Sequence, residues 1–458
     1  MKRLAAAGLG LVLLVVLAAV AWILAIGLPR NAAGMVARSV CSGAFVAGRP
    51  WQRVLAEDVL PATRALGWYD VTVDSAARTV SARLAGGVER RASHLGPRGC
   101  VLDAEPDRAA APPPAPLERR APWPEGDSPD GVAPARLQAL VDAAFSGAAA
   151  SARGLAVVHR GRLLVLRHAE GFGAATPLHG WSMTKTVLGM LTHRIAAERG
   201  LALDRPVVEA FGPGREPTWV ARWRADARKG ITVQDLLWMR DGLANVEDYA
   251  PWGAVPRLLW SGPDVAGHAA AAGAEAAPAT RWRYSSATSN LLARVLRGRF
   301  ATDAEYWAYP KQALFDPIGA GTAVLETDAD GTWIGSSYLW ASTADWARLG
   351  LLMLQDGRWG DRQVLPPGWL ARAATSALAH GEGRGYGAQT WLSGHPSEGD
   401  CRGHGLPPDT LAMRGHWGQL VAIVPSRQVV AVRLGWTLDA AAFRPCEFVA
   451  GVLKAVPD

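Results

Sequence analysis

Short apolar runs separated by turns lie near both ends of a long C-terminal region, and helical spacing prevails between them. Residues 154–168 and 419–436 each contain two apolar runs around a short turn, which predicts two β-hairpins. Residues 182–200 place apolar side chains at helical spacing between a serine and a glycine, which is typical of a helix. Strands at both ends with helices between them predict an α/β fold, with one antiparallel β-sheet flanked by helices and a helical insertion over residues 200–300.

A smaller N-terminal module precedes this region. It covers residues 35–103, and its stretch 69–86 alternates apolar and polar positions around a turn, which predicts another hairpin. Residues 104–131 are rich in proline and charge, which indicates a linker with polyproline character. The large domain therefore extends over residues 132–458.

An uncharged apolar stretch, residues 4–28, follows Lys2 and Arg3 at the N-terminus. It exceeds the roughly 20 residues that span a bilayer and the roughly 7–15 residues of a signal-peptide core, and no clear cleavage site follows it. We therefore expect residues 1–30 to form an uncleaved transmembrane anchor, with a signal segment as the alternative. The positive charges before the span favour an orientation with the rest of the chain outside.

The four cysteines fall into an early pair and a late pair. An exported location permits disulfides, so we expect the bonds Cys41–Cys100 and Cys401–Cys446, with four buried free thiols as the alternative. None of the cysteines has the Cys-x-x-Cys spacing of a zinc site. The net charge of +7 comes from scattered arginines rather than from a basic block, so no nucleic-acid partner is expected.

Lysine is scarce in this chain, which gives one Ser-x-x-Lys motif particular interest. Five of the 48 basic residues are lysines, and Lys185 lies three residues after Ser182 at the start of a predicted helix. That spacing places both side chains on one helix face, and the helix start favours a developing negative charge. A serine needs a base to become nucleophilic, and a desolvated lysine can exchange a proton whereas arginine stays protonated. The motif alone is weak evidence, because short motifs also arise by chance.

Tyr284 lies within residues 282–296, just before another helical run. With the positive charge of Lys185 nearby, its phenol could act as a general base. The alternative is a tyrosine that packs at the helix entrance and caps the backbone with its hydroxyl group.

A third candidate motif lies at the start of the strand that begins near residue 419. Gly418 allows close approach of a ligand to the backbone, and the N–H groups of Ser182 and Gln419 could form an oxyanion hole. His416 is expected to contact a substrate carbonyl or carboxylate, with a solvated turn residue as the alternative.

In this order, Ser-x-x-Lys, Tyr-x-Ser and His-x-Gly resemble the motifs of serine hydrolases related to class C β-lactamases. That superfamily includes DD-peptidases, family VIII esterases and 6-aminohexanoate-dimer hydrolases, and the motif contexts resemble the last group most. The resemblance covers about residues 120–456 and implies a β-lactamase/transpeptidase-like fold with an all-helical subdomain. It also implies that Ser182 is the acylated nucleophile, Lys185 its proton partner and Tyr284 the base.

Two departures from the superfamily pattern concern substrate binding. Ser286 stands where an asparagine is common, and His416 and Trp417 replace the Lys-Thr of the usual Lys-Thr-Gly motif. We expect Ser286, His416, Trp417 and Gly418 to contact the substrate. The loss of a fixed cation argues against efficient β-lactamase activity. Trp181 and Trp417 are expected either to form an apolar cleft wall or to belong to the core.

The sequence thus predicts a serine hydrolase that cleaves an amide or ester bond in a small molecule or peptide through an acyl-enzyme on Ser182. A DD-peptidase acting on cell-wall peptides is the second reading, and a non-catalytic binding or sensor protein on the same scaffold is the third. Residues 245–253 are expected to line the cleft or to form a surface loop. No metal or cofactor is implied. The expected location is the bacterial inner membrane, with the catalytic domain in the periplasm or outside the cell.

Overall fold

The N-terminal part of the chain forms a small antiparallel sheet covered by one helix. The computed structural model describes residues 25–106, 119–146, 151–393 and 401–457, with a few positions before residue 25. The α-helices and strands of this part are α1 (Leu28–Cys41), α2 (Trp51–Val54), β1 (Tyr69–Asp74), β2 (Thr79–Leu84), β3 (Val88–His94) and β4 (Cys100–Leu102). Strands β1 and β2 pair antiparallel, which confirms the hairpin predicted over 69–86. We call residues 28–103 the front module.

The structure gives no support to the predicted membrane anchor. Within the described part of the chain, no helix combines the length and the apolar character that a bilayer crossing requires. Most of residues 4–28 lie outside the described residues, so the anchor stays a prediction. Helix α1, which the sequence did not predict, begins at Leu28 and buries one face against the small sheet.

The large domain alternates short strands and helices. Its strands are β5 (Ala152–His159), β6 (Arg162–His168), β7 (Leu178–His179), β8 (Val324–Leu325), β9 (Leu339–Ala341), β10 (Arg358–Trp359), β11 (Arg362–Gln363), β12 (Trp391–Leu392), β13 (Leu411–Gly415), β14 (Gln419–Val424) and β15 (Val429–Gly435). Its α-helices are α3 (Ala135–Ala144), α4 (Thr184–Arg199), α5 (Trp219–Arg224), α6 (Val233–Leu237), α7 (Ala254–Trp260), α8 (Val265–Ala269), α9 (Ser286–Arg297), α10 (Asp303–Pro310), α11 (Thr343–Leu354), α12 (Trp369–Ala373) and α13 (Pro445–Ala455). Residues 200–300 accordingly contain short helices joined by loops, as predicted.

The central sheet joins the two ends of the large domain. Its strand order is β12-β13-β14-β15-β5-β6, and the neighbouring strands run antiparallel. The pairing of β15 with β5 confirms the predicted sheet built from both ends of the domain. Alternate residues of the inner strands belong to two separate apolar clusters, one on each face. Both faces are therefore covered, which is why the strands read as nearly continuous apolar runs.

Helix α11 covers one face of the sheet at close range because a glycine lies at the contact. A Cβ atom on Gly350 would lie 2.5 Å from Cγ1 of Val430 and 2.8 Å from Cγ1 of Val421. Helices α3 and α13 pack together on the opposite face. The resulting helix–sheet–helix layering positions β13 and β14 beside the start of α4.

The front module and the large domain share one apolar core. The same cluster of buried side chains contains Val36 and Val80 of the module and Trp260 and Leu339 of the large domain. Helix α1 approaches α7 so closely that a Cβ atom on Gly34 would lie 3.2 Å from the carbonyl oxygen of Trp260. The module is thus an integral layer of the molecule rather than a separate body.

The structure tests the two predicted disulfides only in part. A disulfide joins Cys41 to Cys100, as predicted. Cys446 is disulfide-bonded as well, while the side chain of its predicted partner Cys401 lies outside the described residues.

In the predicted linker, residues 107–118 lie outside the described residues. The segment that follows them is packed against the large domain, because Arg348 donates hydrogen bonds to the carbonyl oxygens of Pro124 and Gly126.

Candidate functional site

Ser182 lies on a tight turn that leads directly into α4. The turn Trp181–Met183 is a short 3₁₀ helix, and Trp181 has a φ of 48°, in the left-handed region. Such a conformation costs about 1–3 kcal/mol and persists only where the surroundings enforce it. Here Gly180 packs under the turn, since a Cβ atom on it would lie 2.2 Å from the ring of Trp346. The turn therefore holds Ser182 at a helix start, as the sequence predicted.

Lys185 is the hub of the site. Its Nζ atom donates hydrogen bonds to Ser182 Oγ at 2.9 Å, to Ser286 Oγ at 3.0 Å and to the carbonyl oxygen of Ser336 at 3.0 Å. The side chain is 1% exposed. All three N–H donors of the ammonium group therefore have an acceptor, and one of these acceptors is Ser182 Oγ, the predicted nucleophile.

The surroundings of Lys185 make it a better base than an ordinary lysine. Burial lowers its pKa to about 8, against an opposing effect of the Glu247 carboxylate. Burial disfavours the charged form of an amine, whereas a nearby negative charge favours it. A minor fraction of the amine is therefore neutral at pH 7, and this fraction, which can accept a proton from Ser182, grows as the pH rises through about 8.

Tyr284 lies just before α9 and near Lys185, as the sequence predicted, but its phenol is protonated and is not a phenolate base. Its ring lies 4.8 Å from Lys185 Nζ, and it stacks on Trp391 at 5.0 Å. Burial, together with the charges of Tyr386 and Glu247, raises the pKa of Tyr284 well above its ordinary value. The phenol therefore stays protonated, although a hydrogen-bond contribution from Ser182 partly opposes the rise in its pKa.

Glu247 is a functional candidate that the sequence did not reveal. Its two carboxylate oxygens accept from Ser286 Oγ and from the Ser286 backbone N–H, both at 2.7 Å. Ser286 is the first residue of α9, so the carboxylate lies at a helix start, where negative charge is stabilised. Part of the stretch 245–253 therefore lines the site, through Glu247 and Tyr249. The sequence of this stretch has no fixed spacing to the three motifs, so no signal in it could have identified Glu247.

Tyr249 from the same loop closes one side of the site. Its ring stacks on His416 with centroids 4.4 Å apart and an interplanar angle of 11°. Burial lowers the pKa of His416 to about 4, so its imidazole is neutral at pH 7. Trp181 contacts the rings of both His416 and Trp417. These aromatic rings form a wall beside Ser182.

The His-x-Gly motif forms the turn between β13 and β14. Trp417 and Gly418 have φ angles of 59° and 81°, and a Cβ atom on Gly418 would lie 2.6 Å from Arg433 Nη1. Gln419 pairs with Gly415 across this turn, and its side chain bonds the backbone of Gly435. A Cβ atom on Gly415 would lie 2.3 Å from the carbonyl oxygen of Gly180, so the turn is anchored beside the Ser182 turn. The oxyanion hole of Ser182 and Gln419 remains a prediction.

The described part of the chain does not assemble a metal site. No three His, Cys, Asp or Glu side chains in it come together as ligands would.

Sequence comparison places most of the large domain in one protein family. A profile of the family described as Beta-lactamase matches residues 133–439. No curated protein matches the chain at a significant level.

Several solved structures share the fold at low sequence identity. A protein described as a 6-aminohexanoate-dimer hydrolase from Bacillus anthracis is 19% identical, with 72% of this chain and 87% of that chain covered and a TM-score of 0.54. A β-lactamase-like protein from Bacteroides dorei is 16% identical, with 70% and 98% covered and a TM-score of 0.56. A penicillin-binding protein homologue from Caulobacter crescentus is 17% identical, with 72% and 100% covered and a TM-score of 0.54.

Proposed function

Because the chain belongs to the β-lactamase family, we propose that it is a serine hydrolase that cleaves an amide or ester bond through an acyl-enzyme on Ser182. The observation that carries this proposal is the bond from Lys185 Nζ to Ser182 Oγ at 2.9 Å, made by a buried amine whose pKa is about 8. A serine beside a lysine that can lose its proton is the minimal arrangement for nucleophilic catalysis.

The acylation step assigns each proton to a named atom. Ser182 Oγ bonds to the substrate carbonyl carbon while its proton passes to neutral Lys185 Nζ, and the carbonyl oxygen gains negative charge. The backbone N–H groups of Ser182 and Gln419 stabilise that charge. As the carbon–leaving-group bond breaks, Lys185 returns the proton to the leaving amine or alcohol, with the Tyr284 hydroxyl as the relay.

Deacylation repeats the same transfers with water as the nucleophile. Water attacks the acyl carbon, Lys185 takes the water proton, and Ser182 Oγ leaves and recovers a proton. The free acid is the second product. No other reactant is required, since both steps are proton-neutral overall.

The charges around the site favour neutral acyl groups. His416, at the position of the usual motif lysine, is neutral at pH 7, and the Glu247 carboxylate lies beside Ser286. A substrate with a carboxylate near the scissile bond would meet a negative charge and no fixed partner at His416. We therefore favour a neutral ester or amide over a β-lactam or a cell-wall peptide with its terminal carboxylate.

We also propose an exported location for the catalytic domain. The disulfide between Cys41 and Cys100 supports this, because disulfides persist mainly in oxidising compartments. A membrane anchor within residues 1–30 would retain the protein at the inner membrane.

The test is a panel of p-nitrophenyl esters, anilides, D-amino-acid peptides and a β-lactam, with the wild-type protein and Ser182→Ala. We expect ester or anilide turnover that Ser182→Ala abolishes, together with labelling by a fluorophosphonate probe. Ser376→Ala, which removes an exposed serine hydroxyl, is the matched control. Undiminished turnover by Ser182→Ala would refute the assignment, and a stable penicilloyl adduct would favour the DD-peptidase.

A further inference from the structure

Glu326 is a buried carboxylate that the reaction described above does not use. It follows β8 in the large domain and is 0% exposed, yet two donors to its side chain come from the front module, while Trp340 of the large domain makes a further contribution. Oε1 accepts from Ser42 Oγ at 2.9 Å and from the Cys100 backbone N–H at 2.8 Å. Arg38 Nη2 lies 3.6 Å from Oε2. A carboxylate buried without these donors would be costly, so Glu326 and the module must dock together.

The module's disulfide holds the two donors in place. Cys41 directly precedes Ser42, and Cys100 supplies the N–H, so the Cys41–Cys100 bond fixes both donors relative to each other. The fit is close, because a Cβ atom on Gly99 would lie 2.5 Å from Glu326 Cγ. Both cysteines are 0% exposed.

From Glu326 the contacts continue to the candidate active site. The Glu326 backbone N–H donates to the Tyr338 carbonyl oxygen at 2.9 Å. The Ile334 backbone N–H donates to the Glu326 carbonyl oxygen at 3.0 Å. These bonds close the loop of residues 327–337, which carries the Ser336 carbonyl. That carbonyl is one of the three acceptors of Lys185 Nζ.

The module holds the start of the same loop with arginines. Arg38 Nη2 donates to the Thr327 carbonyl at 2.9 Å, and its guanidinium lies 3.9 Å from the ring centre of Tyr338. Arg98 donates to Thr327 Oγ1 and to the Asp328 carbonyl, both at 3.1 Å. The loop is thus fixed to the front module at its start and its end.

We propose that the front module is a brace for Lys185, and that Glu326 is the positioning residue through which the Cys41–Cys100 disulfide fixes the Ser336 carbonyl. The brace rests on the proposed function of Lys185. It makes activity depend on disulfide formation, so a chain whose module cysteines are reduced is a poor catalyst until it reaches an oxidising compartment.

The test compares full-length wild type with Glu326→Gln, the milder Ser42→Ala, and Cys41→Ser/Cys100→Ser. We expect kcat per fluorophosphonate-labelled site to fall about 10- to 100-fold with little change in KM, since a misplacement of about 1 Å at a reacting group can cost that much. Hydrogen exchange across residues 327–339 should become faster. Arg83→Gln removes an exposed ion pair with Glu89 elsewhere on the module, so its kcat should match the wild type.

The pH profile separates positioning from a loss of folded protein. The titratable groups that face Lys185 are Glu247 and Tyr284, and neither lies on the 327–337 loop. An opened loop admits water to Lys185, which raises its pKa from about 8 towards that of a free lysine, so the acidic limb of kcat should move to higher pH.

Each remaining outcome decides the proposal. Faster hydrogen exchange at 327–339 would overturn the brace if kcat and the acidic limb of its pH profile stayed unchanged. A lower kcat would also overturn it if neither the hydrogen exchange at 327–339 nor the acidic limb changed. If the wild type shows no Ser182-dependent turnover, the proposed function fails. In that case, unchanged exchange in Glu326→Gln would still refute the linkage between module and loop, and faster exchange would uphold it.

Discussion

Lys185 is the residue on which the proposed chemistry depends, because its side chain joins the nucleophile, α9 and the Ser336 loop. The sequence predicted that Ser182, Lys185 and Tyr284 converge, since each lies in a motif with a fixed place in the element order. It could not predict the protonation of Tyr284 or the presence of Glu247. Both depend on burial and on loop packing, which no local pattern encodes.

Replacement of the lysine by arginine tests its role as a base. Lys185→Arg should lower kcat at least about 100-fold, because general-base catalysis contributes roughly that factor or more and arginine stays protonated. The exposed Lys311→Arg is the matched control and should keep wild-type turnover. Comparable kcat in both variants would contradict the role, provided that circular dichroism shows both to be folded.

Removal of the Glu247 charge should shift the pH dependence of kcat/KM in a defined direction. Neutral Lys185 is the reactive form, so kcat/KM should rise with pH through about 8 and then level off. The Glu247 carboxylate raises the pKa of Lys185, so Glu247→Gln should lower that pKa and move the rise to lower pH. The exposed Glu216→Gln, which loses an ion pair with Arg224, should leave the profile unchanged. A shift to higher pH in Glu247→Gln would show that the carboxylate does not act through its charge.

At the scale of elements, continuous apolar runs predicted the main strands of the central sheet, and apolar residues at helical spacing predicted α4. The hairpin β14–β15 and the helix α4 lie within the stretches read from the sequence, whereas the hairpin β5–β6 begins at Ala152, two residues before its predicted stretch. Helix α1 was missed because it follows an apolar stretch that obscures its own pattern. Short strands such as β7 and β9 were missed because two or three residues carry no period.

The close approach of α11 to the sheet can be tested at Gly350. Gly350→Ala should cost about 1–3 kcal/mol through overpacking against Val421 and Val430, partly offset by about 1 kcal/mol of helix propensity. The net free energy of unfolding should therefore fall by up to about 2 kcal/mol, measured by urea denaturation. Gly273→Ala is the control, since its Cβ atom would meet nothing within 4 Å. Equal stability of the two variants would show that α11 can shift to make room.

At the scale of the whole molecule, the front module is part of the catalytic unit. Buried bonds from Arg38, Ser42 and Cys100 to the Glu326 region cross the boundary between module and large domain. The sequence predicted a separate module and a linker, because composition changes mark chain segments but not the contacts between them. The family match, which begins at residue 133, also leaves the module outside.

Two fragments test this integration. A fragment of residues 27–458 should unfold cooperatively and keep its turnover, whereas a fragment of residues 105–458 should aggregate or unfold, because it removes the Ser42 and Cys100 donors of Glu326 and exposes the shared core. Urea denaturation and ester hydrolysis give both readouts. Cooperative unfolding and wild-type kcat in the shorter fragment would mean that the module is dispensable.

The central claim is that the reaction passes through a covalent intermediate on Ser182. The most direct measurement is intact-protein mass spectrometry of the wild type, quenched in acid during turnover of a p-nitrophenyl ester, followed by peptide mapping. We predict a mass increase of one acyl group per chain, located on the peptide that contains Ser182 and absent from Ser182→Ala. Turnover without any adduct, or an adduct that persists in Ser182→Ala, would contradict the account.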